Sequence, residues 1–239
     1  MLEERLSRTI ALLGKQKANT LFSSTAMIIG LGAVGGYALE MLARLGISNL
    51  ILVDFDTFEP SNINRQILAL TNTINQKKCD TAKERVLKIN PDCNVTALDL
   101  KLTPSNLDFI ENYKPDFIID AIDDISAKTS LIEYLVNNKY DFISAMGAAL
   151  KLNPELLKTT TLDQTTQCHL SKKLRENLRK KNVPLKKVNV VFSTETSHII
   201  KDENNQNILG SLPLVPMAMG AMLAHFALKK LIKENNQCL

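Results

Sequence analysis

Tryptophan is absent from this chain of 239 residues, and aromatic side chains make up only 5% of it. Leu, Ile, Ala and Val must fill the apolar positions, which suits a buried parallel sheet between helices. The four cysteines, Cys79, Cys93, Cys168 and Cys238, include no Cys-x-x-Cys pair. A zinc site with the usual ligand spacing is therefore not expected, and four free thiols in a reducing compartment are. The N-terminal MLEERLSRTIALLGKQ has charges among its apolar positions, so no secretory signal is expected. The longest apolar stretch, Leu212 to Leu228, contains Pro213, Pro216 and His225 and reads as too short for a membrane span. A cytoplasmic protein without a membrane partner is the expectation. Internal repeats and low-complexity linkers are also missing.

What is present is ordinary in amount and uneven in placement. The apolar fraction is 45% and the charged fraction 23%, as in soluble globular chains. The net charge of +4 comes from one place: Lys172 to Lys187 carries eight basic residues and one acid, Glu176, leaving 21 basic and 24 acidic residues elsewhere. Such a run reads as a solvated helix face or as a contact surface for a phosphate backbone. Its concentration in an otherwise slightly acidic chain favours the second.

Periodicity predicts helices over 3–16, 35–45, 61–70, 75–89, 104–113, 126–138 and 216–233. Strands are predicted over 25–30, 49–54, 94–100, 117–122, 141–146, 156–162 and 188–193, the last two flanking the basic helix. The β-α-β-α alternation argues for a Rossmann-like, doubly wound, mostly parallel sheet flanked by helices. After about residue 150 the rhythm changes. The expected organisation is one unit over 1–239, with a nucleotide-binding core at 1–150 and an α+β extension at 151–239 packed on it.

Gly30-Leu31-Gly32-Ala33-Val34-Gly35 stands between a predicted strand and a predicted helix, and Asp54 ends the next strand. Glycines so spaced let a strand turn tightly into a helix whose first amides, including those around Ala33, face phosphate, while the acid reaches a ribose hydroxyl. Glycines kept only for helix–strand packing are the competing reading. Dinucleotide binding is the usual outcome, but the continuation FDTFEPSNINRQ argues against it. It places Asp56, Asn62, Arg65 and Gln66 just beyond the second strand. An arginine fork suits triphosphate oxygens, Lys78 adds a second cation, and Asp123, after the 117–122 strand, could hold Mg²⁺. Together these residues describe an ATP site.

GLGAVG, LVDFDTFEPSNINRQ, the lysine in NQKK, and DAIDD resemble the ThiF/MoeB/HesA superfamily of ubiquitin-activating-type adenylyltransferases, over most of the chain from Arg5 to about Leu231. The resemblance implies attack of a carboxylate on the α-phosphate of ATP, giving an acyl adenylate and pyrophosphate. It implies Asp54 on the ribose, Asn62, Arg65 and Lys78 on the phosphates with Gln66 in support, and Asp123 on the metal. It also implies that Arg8 enters a partner subunit's ATP site, hence a homodimer; an ordinary exposed helix residue is the alternative. VFSTE at 191–195 and the basic helix KKLRENLRKK are similar to the superfamily branch that dehydrates threonylcarbamoyladenosine in tRNA. In that branch the adenylated threonine carboxylate is closed into a ring by a nucleophile of the same side group. Lys172, Lys173, Arg175, Arg179 and Lys180 would then meet tRNA. A second reading keeps adenylation but activates the C-terminus of a ubiquitin-like sulfur carrier, with Cys168 as a transthiolation cysteine; a third is a non-catalytic nucleotide-binding partner. A sulfur-transfer or cysteine-desulfurase-type partner stays open. His198 and His225 read as structural.

Overall fold

The computed structural model describes residues 2–233, with side chains from Glu4 onward; Cys238 lies outside the described residues. The elements are α1 (Leu2–Leu13), α2 (Lys15–Phe22), β1 (Thr25–Ile29), α3 (Gly35–Leu45), β2 (Asn49–Val53), α4 (Lys78–Ile89), β3 (Asn94–Leu98), α5 (Phe109–Tyr113) and β4 (Phe117–Asp120). They continue with α6 (Ile125–Asn137), β5 (Phe142–Ala145), β6 (Leu157–Thr161), α7 (His169–Lys180), β7 (Asn189–Ser193), β8 (Ile200–Lys201), β9 (Asn207–Ile208) and α8 (Leu214–Leu231).

Seven strands form one sheet in the order β3-β2-β1-β4-β5-β7-β6. All neighbours run parallel except β6, which pairs antiparallel with β7. The chain winds from β1 outward to β3, then restarts at β4 on the other side of β1. The crevice beyond the carboxyl ends of β1 and β4 is thus the switch point where such sheets take ligands. The extension attaches by lengthening the sheet: β7 pairs with β5 and β6 closes the edge.

Alternation along the strands divides the core. Ala26 and Ile28 of β1 face a cluster shared with α3, α4 and α8, while Met27 and Ile29 face one shared with α5, α6 and α7. Basic α7 belongs to the second layer, where Leu174 and Leu178 are fully buried. Helix α8 is 18 residues long with a mean hydropathy of 1.2, so by length and composition it could cross a membrane, contrary to the sequence expectation. Here Met219, Leu223 and Ala227 pack it into the first cluster. His225 lies on its exposed side rather than in the core.

Four predicted elements change shape, among them the 104–113 helix, which is reduced to α5 after turns over 104–108. The 3–16 helix breaks at Gly14, whose φ of +78° no L side chain favours, and α2 continues beyond it. The predicted 61–70 helix is a 3₁₀ turn at Pro60–Asn62 followed by turns. There the Asn62 side chain accepts the Glu59 N–H at 3.2 Å, and this local bond competes with helix propagation. Asn75 adopts φ +66°, so α4 starts three residues later than expected, at Lys78. The β8–β9 hairpin had no counterpart in the sequence reading.

Candidate nucleotide-binding cleft

A cleft of about 500 Å³ opens at the switch point. Its first wall comes from the turn after β1. Gly30 takes φ +91°, and a Cβ there would stand 2.8 Å from the Ala121 carbonyl. A Cβ on Gly35 would stand 1.8 Å from the Gly30 carbonyl oxygen, so Gly35 is a glycine for helix–strand packing. It is not among the residues that line the cleft. Gly32 and Ala33 do line it, and a Cβ on Gly32 would meet nothing closer than Gln66 Nε2 at 4.0 Å. That open space suits close approach of a phosphate group.

Asp54 ties two turns together. One carboxylate oxygen accepts the Leu31 N–H at 2.7 Å and the other the Asp56 N–H at 2.9 Å. Burial raises its pKa above the ordinary value, outweighing those bonds and the charge of Lys78. Lys78 is almost wholly buried, yet its ammonium reaches the half-exposed Asp56 at 3.0 Å and faces the cleft. Arg65 also lines the cleft; its guanidinium donates to the Ser61 carbonyl at 2.8 Å and to Asn64 Oδ1 at 2.9 Å. Gln66 is buried on the same wall, and its Oε1 has no partner. A buried amide oxygen without a donor is costly, and this one marks the wall as incompletely satisfied.

Asn62 is not among the cleft-lining residues. Its side chain is occupied by the Glu59 N–H and donates to Ser61 Oγ at 3.4 Å, so it shapes the Arg65 turn instead of facing the cleft. Arg8 is exposed on α1, away from the cleft of its own chain.

Beneath Ala121, Ile122 and Ala145 of the cleft lining is a buried ionic network that the sequence did not announce. Lys128 and Asp120 are fully buried and paired at 2.8 Å. Ser144 Oγ donates to the same carboxylate oxygen at 2.7 Å. Lys128 also donates to the Ile122 carbonyl at 2.8 Å, and Ile122 N–H donates to Asp120 at 3.2 Å. Both sides of the Ile122 peptide unit are thereby fixed, and the next residue is Asp123, exposed at the cleft rim. A lysine buried this way looks in sequence like any helical surface lysine.

The second wall comes from Met146–Ala149, Leu170, and Leu209 and Ser211 below the hairpin. Glu195 holds it by accepting the N–H groups of Leu152 (2.9 Å) and Asn153 (3.0 Å) while contacting His198 at 3.0 Å. Buried Lys151 donates to the carbonyls of Gln167 and Glu195, and burial lowers its pKa. Cys168 is buried under Gly147, where an added Cβ would lie 3.7 Å from its sulfur. On α7, Lys172, Lys173, Arg179 and Lys180 are exposed. Arg175 is half-buried, and one nitrogen of its guanidinium bonds the Thr165 carbonyl and hydroxyl.

Among the described residues no three His, Cys, Asp or Glu converge as a metal site. A single exposed carboxylate at Asp123 nevertheless fits Mg²⁺, which takes one or two carboxylates and finds its other ligands in phosphate and water.

A doubly wound sheet with this glycine turn, buried acid and cationic wall at its switch point defines a nucleotide-binding α/β protein. Residues 6–239 match the ThiF family, and the chain belongs to that family. It is 35% identical over 204 residues to the tRNA threonylcarbamoyladenosine dehydratase of Bacillus subtilis, covering 85% of this chain and 80% of that one. The Haemophilus influenzae protein of the same name is 34% identical over 224 residues, covering 87% and 86%. Crystal structures of the Escherichia coli tRNA N6-threonylcarbamoyladenosine dehydratase, TcdA, in complex with AMP and with ATP superpose with TM-scores of 0.91 and 0.90. Each is 32% identical, with 97% of this chain and 95% of that one covered.

Proposed function

We propose that the chain is an ATP-dependent dehydratase that adenylates the threonine carboxylate of threonylcarbamoyladenosine in tRNA and cyclises it, releasing AMP and pyrophosphate. The observation that carries this reading is a preformed cleft presenting Gly32, Arg65, Lys78 and Asp123, in a chain aligned over 97% of its length with a tRNA dehydratase crystallised with ATP. Activation of a sulfur carrier is less favoured: the molybdopterin-synthase adenylyltransferase relative aligns over only 66% of the chain. Cys168 is buried, unlike the accessible thiols that act as nucleophiles.

A carboxylate is a poor electrophile because oxide would have to leave. One of its oxygens attacks the α-phosphorus and the bond to the bridging oxygen of pyrophosphate breaks. The substrate's own nucleophile then attacks the acyl carbon, and the former carboxylate oxygen departs on AMP. The net loss is one water, and no protein nucleophile is required. Arg65 and Lys78 hold phosphate oxygens and offset the charge that develops in transfer. Gly32 and Ala33 offer backbone amides, Asp54 takes the ribose, Gln66 accepts a ligand donor, and Asp56 orients Lys78. Asp123 would hold Mg²⁺, which when bound neutralises phosphate charge.

In this reading residues 1–150 bind the nucleotide and 151–239 face the tRNA, which meets the exposed α7 cations. The enzyme works in the cytoplasm as a homodimer, with Arg8 reaching the partner's cleft. Support for pairing comes from apolar side chains left exposed in the extension, including Ile199, Leu212, Met217 and the cleft-lining Leu209. A sulfur-transfer partner would be an accessory and takes no part in the chemistry. The test is incubation with ATP, Mg²⁺ and tRNA bearing threonylcarbamoyladenosine. Loss of one water from the nucleoside, with matching AMP release, is expected; AMP formation only with a small carrier protein would reject the reading.

A further inference from the structure

A groove of about 700 Å³ runs between α6 and α7 and opens into the nucleotide cleft at Asp123 and Asp124, which line both. Its α6 side carries Ser126, Thr129 and Ser130, and its α7 side Asn177, Lys180 and Lys181. Asn177 Nδ2 donates across to Thr129 Oγ1 at 3.3 Å, fixing the spacing of the two helices. Lys181 is neutralised by Glu133 of α6 at 2.6 Å, whereas Lys180 forms no ion pair among the described residues. The groove is thus acidic where it meets the cleft, hydroxyl-lined along its length and cationic at its outer edge.

Helical geometry sorts the basic residues of α7. At 100° per residue, Lys173, Asn177 and Lys180 lie within about 60° of one another, on the groove side. Lys172 and Arg179 lie about 100° further round. The run of positive charge that looks uniform in sequence therefore has one face on the groove and one face away from it.

A substrate carboxylate held near Asp123 must be joined to a polynucleotide lying outside the cleft. We infer that the α6–α7 groove seats the tRNA strand adjoining the modified nucleoside, with backbone phosphates on Lys173 and Lys180 and with Ser126 and Ser130 bonding phosphate or ribose oxygens. This rests on the tRNA reading above and narrows its basic surface to one face of one helix.

Two double variants matched in charge test it. Binding of tRNA bearing threonylcarbamoyladenosine is measured across a salt series by filter retention, with ATP binding followed by calorimetry. Lys173→Ala/Lys180→Ala should lose about tenfold in affinity and flatten the salt slope by about 1.4, the value for two single-strand phosphate contacts. Lys172→Ala/Arg179→Ala, with the same change of net charge, should lose no more than about threefold. Glu133→Gln, which releases Lys181, should tighten binding a few-fold. Equal losses in the two double variants, or no gain from Glu133→Gln, would overturn the groove. Wild-type protein that neither binds nor dehydrates this tRNA would instead overturn the functional reading beneath it.

Discussion

Within the glycine wall of the cleft the bonds that set the geometry span 23 residues or fewer; those that hold the hairpin wall reach further. Asp54 bonds the amide two residues on, and Arg65 the carbonyl four residues back. Opposite them, Glu195 reaches amides 43 and 42 residues away. Asn64 reaches the Ser211 carbonyl across 147 residues, at 2.9 Å. The first wall is complete once β1, β2, their turns and the start of α4 exist. The second exists only when the sheet is finished, so it is the part that local opening should loosen first.

The largest expected effect lies within the glycine motif. Gly35→Ala puts a Cβ against the Gly30 carbonyl at 1.8 Å, with backbone that cannot turn aside. We expect a loss of about 3 kcal/mol or more in urea unfolding, the upper range for overpacking. Gly32→Ala, with open space at its Cβ, should change stability by no more than about 0.5 kcal/mol yet weaken ATP binding clearly in calorimetry. If the two substitutions behave alike, the division of the motif into a packing glycine and a ligand glycine is wrong.

That division also marks what could be read in advance. The parallel sheet and the glycine turn were legible, and so was the gathering of Asp54, Arg65, Lys78 and Asp123 at one cleft, because each depends on neighbours in sequence or on strand ends. Asn62 stands off the cleft lining, where a local bond from the Glu59 amide occupies its side chain. The bond from Arg175 to Thr165 could not be foreseen, because Thr165 comes from another segment. The Asp120–Lys128–Ser144 network was invisible, since burial of Lys128 requires β4, β5 and α6 to be assembled. The hairpin left no periodic signal in two-residue strands.

Next in size is a purely functional loss on the local wall. Arg65→Ala should lower kcat/KM for AMP formation by about 10²–10³, as for other donors to a developing oxyanion. Its thermal midpoint should stay within about 2 °C of wild type, because Arg65 is a partly exposed side chain bonded within its own turn. A stability loss matching the activity loss would show that the arginine holds the fold rather than the phosphate.

The distant wall should answer in the opposite way. Glu195→Ala removes the acceptor of the Leu152 and Asn153 amides and should cost about 1–3 kcal/mol. Hydrogen exchange should accelerate at those two amides and around His198, while the Gly30–Gly35 turn keeps its protection. Uniform acceleration through both walls would show them to be one cooperative unit.

The smallest effect is the most diagnostic, because one carboxylate in each wall carries a pKa shift of opposite sign. Burial raises Asp54 above 3.8, so the native state holds this proton more tightly than the unfolded chain does. Its contribution to stability therefore falls as pH rises from about 3.8 through the native pKa. At Glu195 burial also pushes upward, but the Leu152 and Asn153 amides and His198 outweigh it and hold the group below 4.5. Its contribution is complete above about 4.5 and disappears as pH falls through the lower native value. Asp54→Asn should consequently make the slope of stability against pH more positive from about pH 3.8 up through the native pKa. Glu195→Gln should make the acid loss below about pH 4.5 shallower. Urea midpoints across this range read both slopes. Changes of the same sign in the two variants would mean that desolvation governs both carboxylates, and that the amides of the hairpin wall do not hold Glu195 ionised.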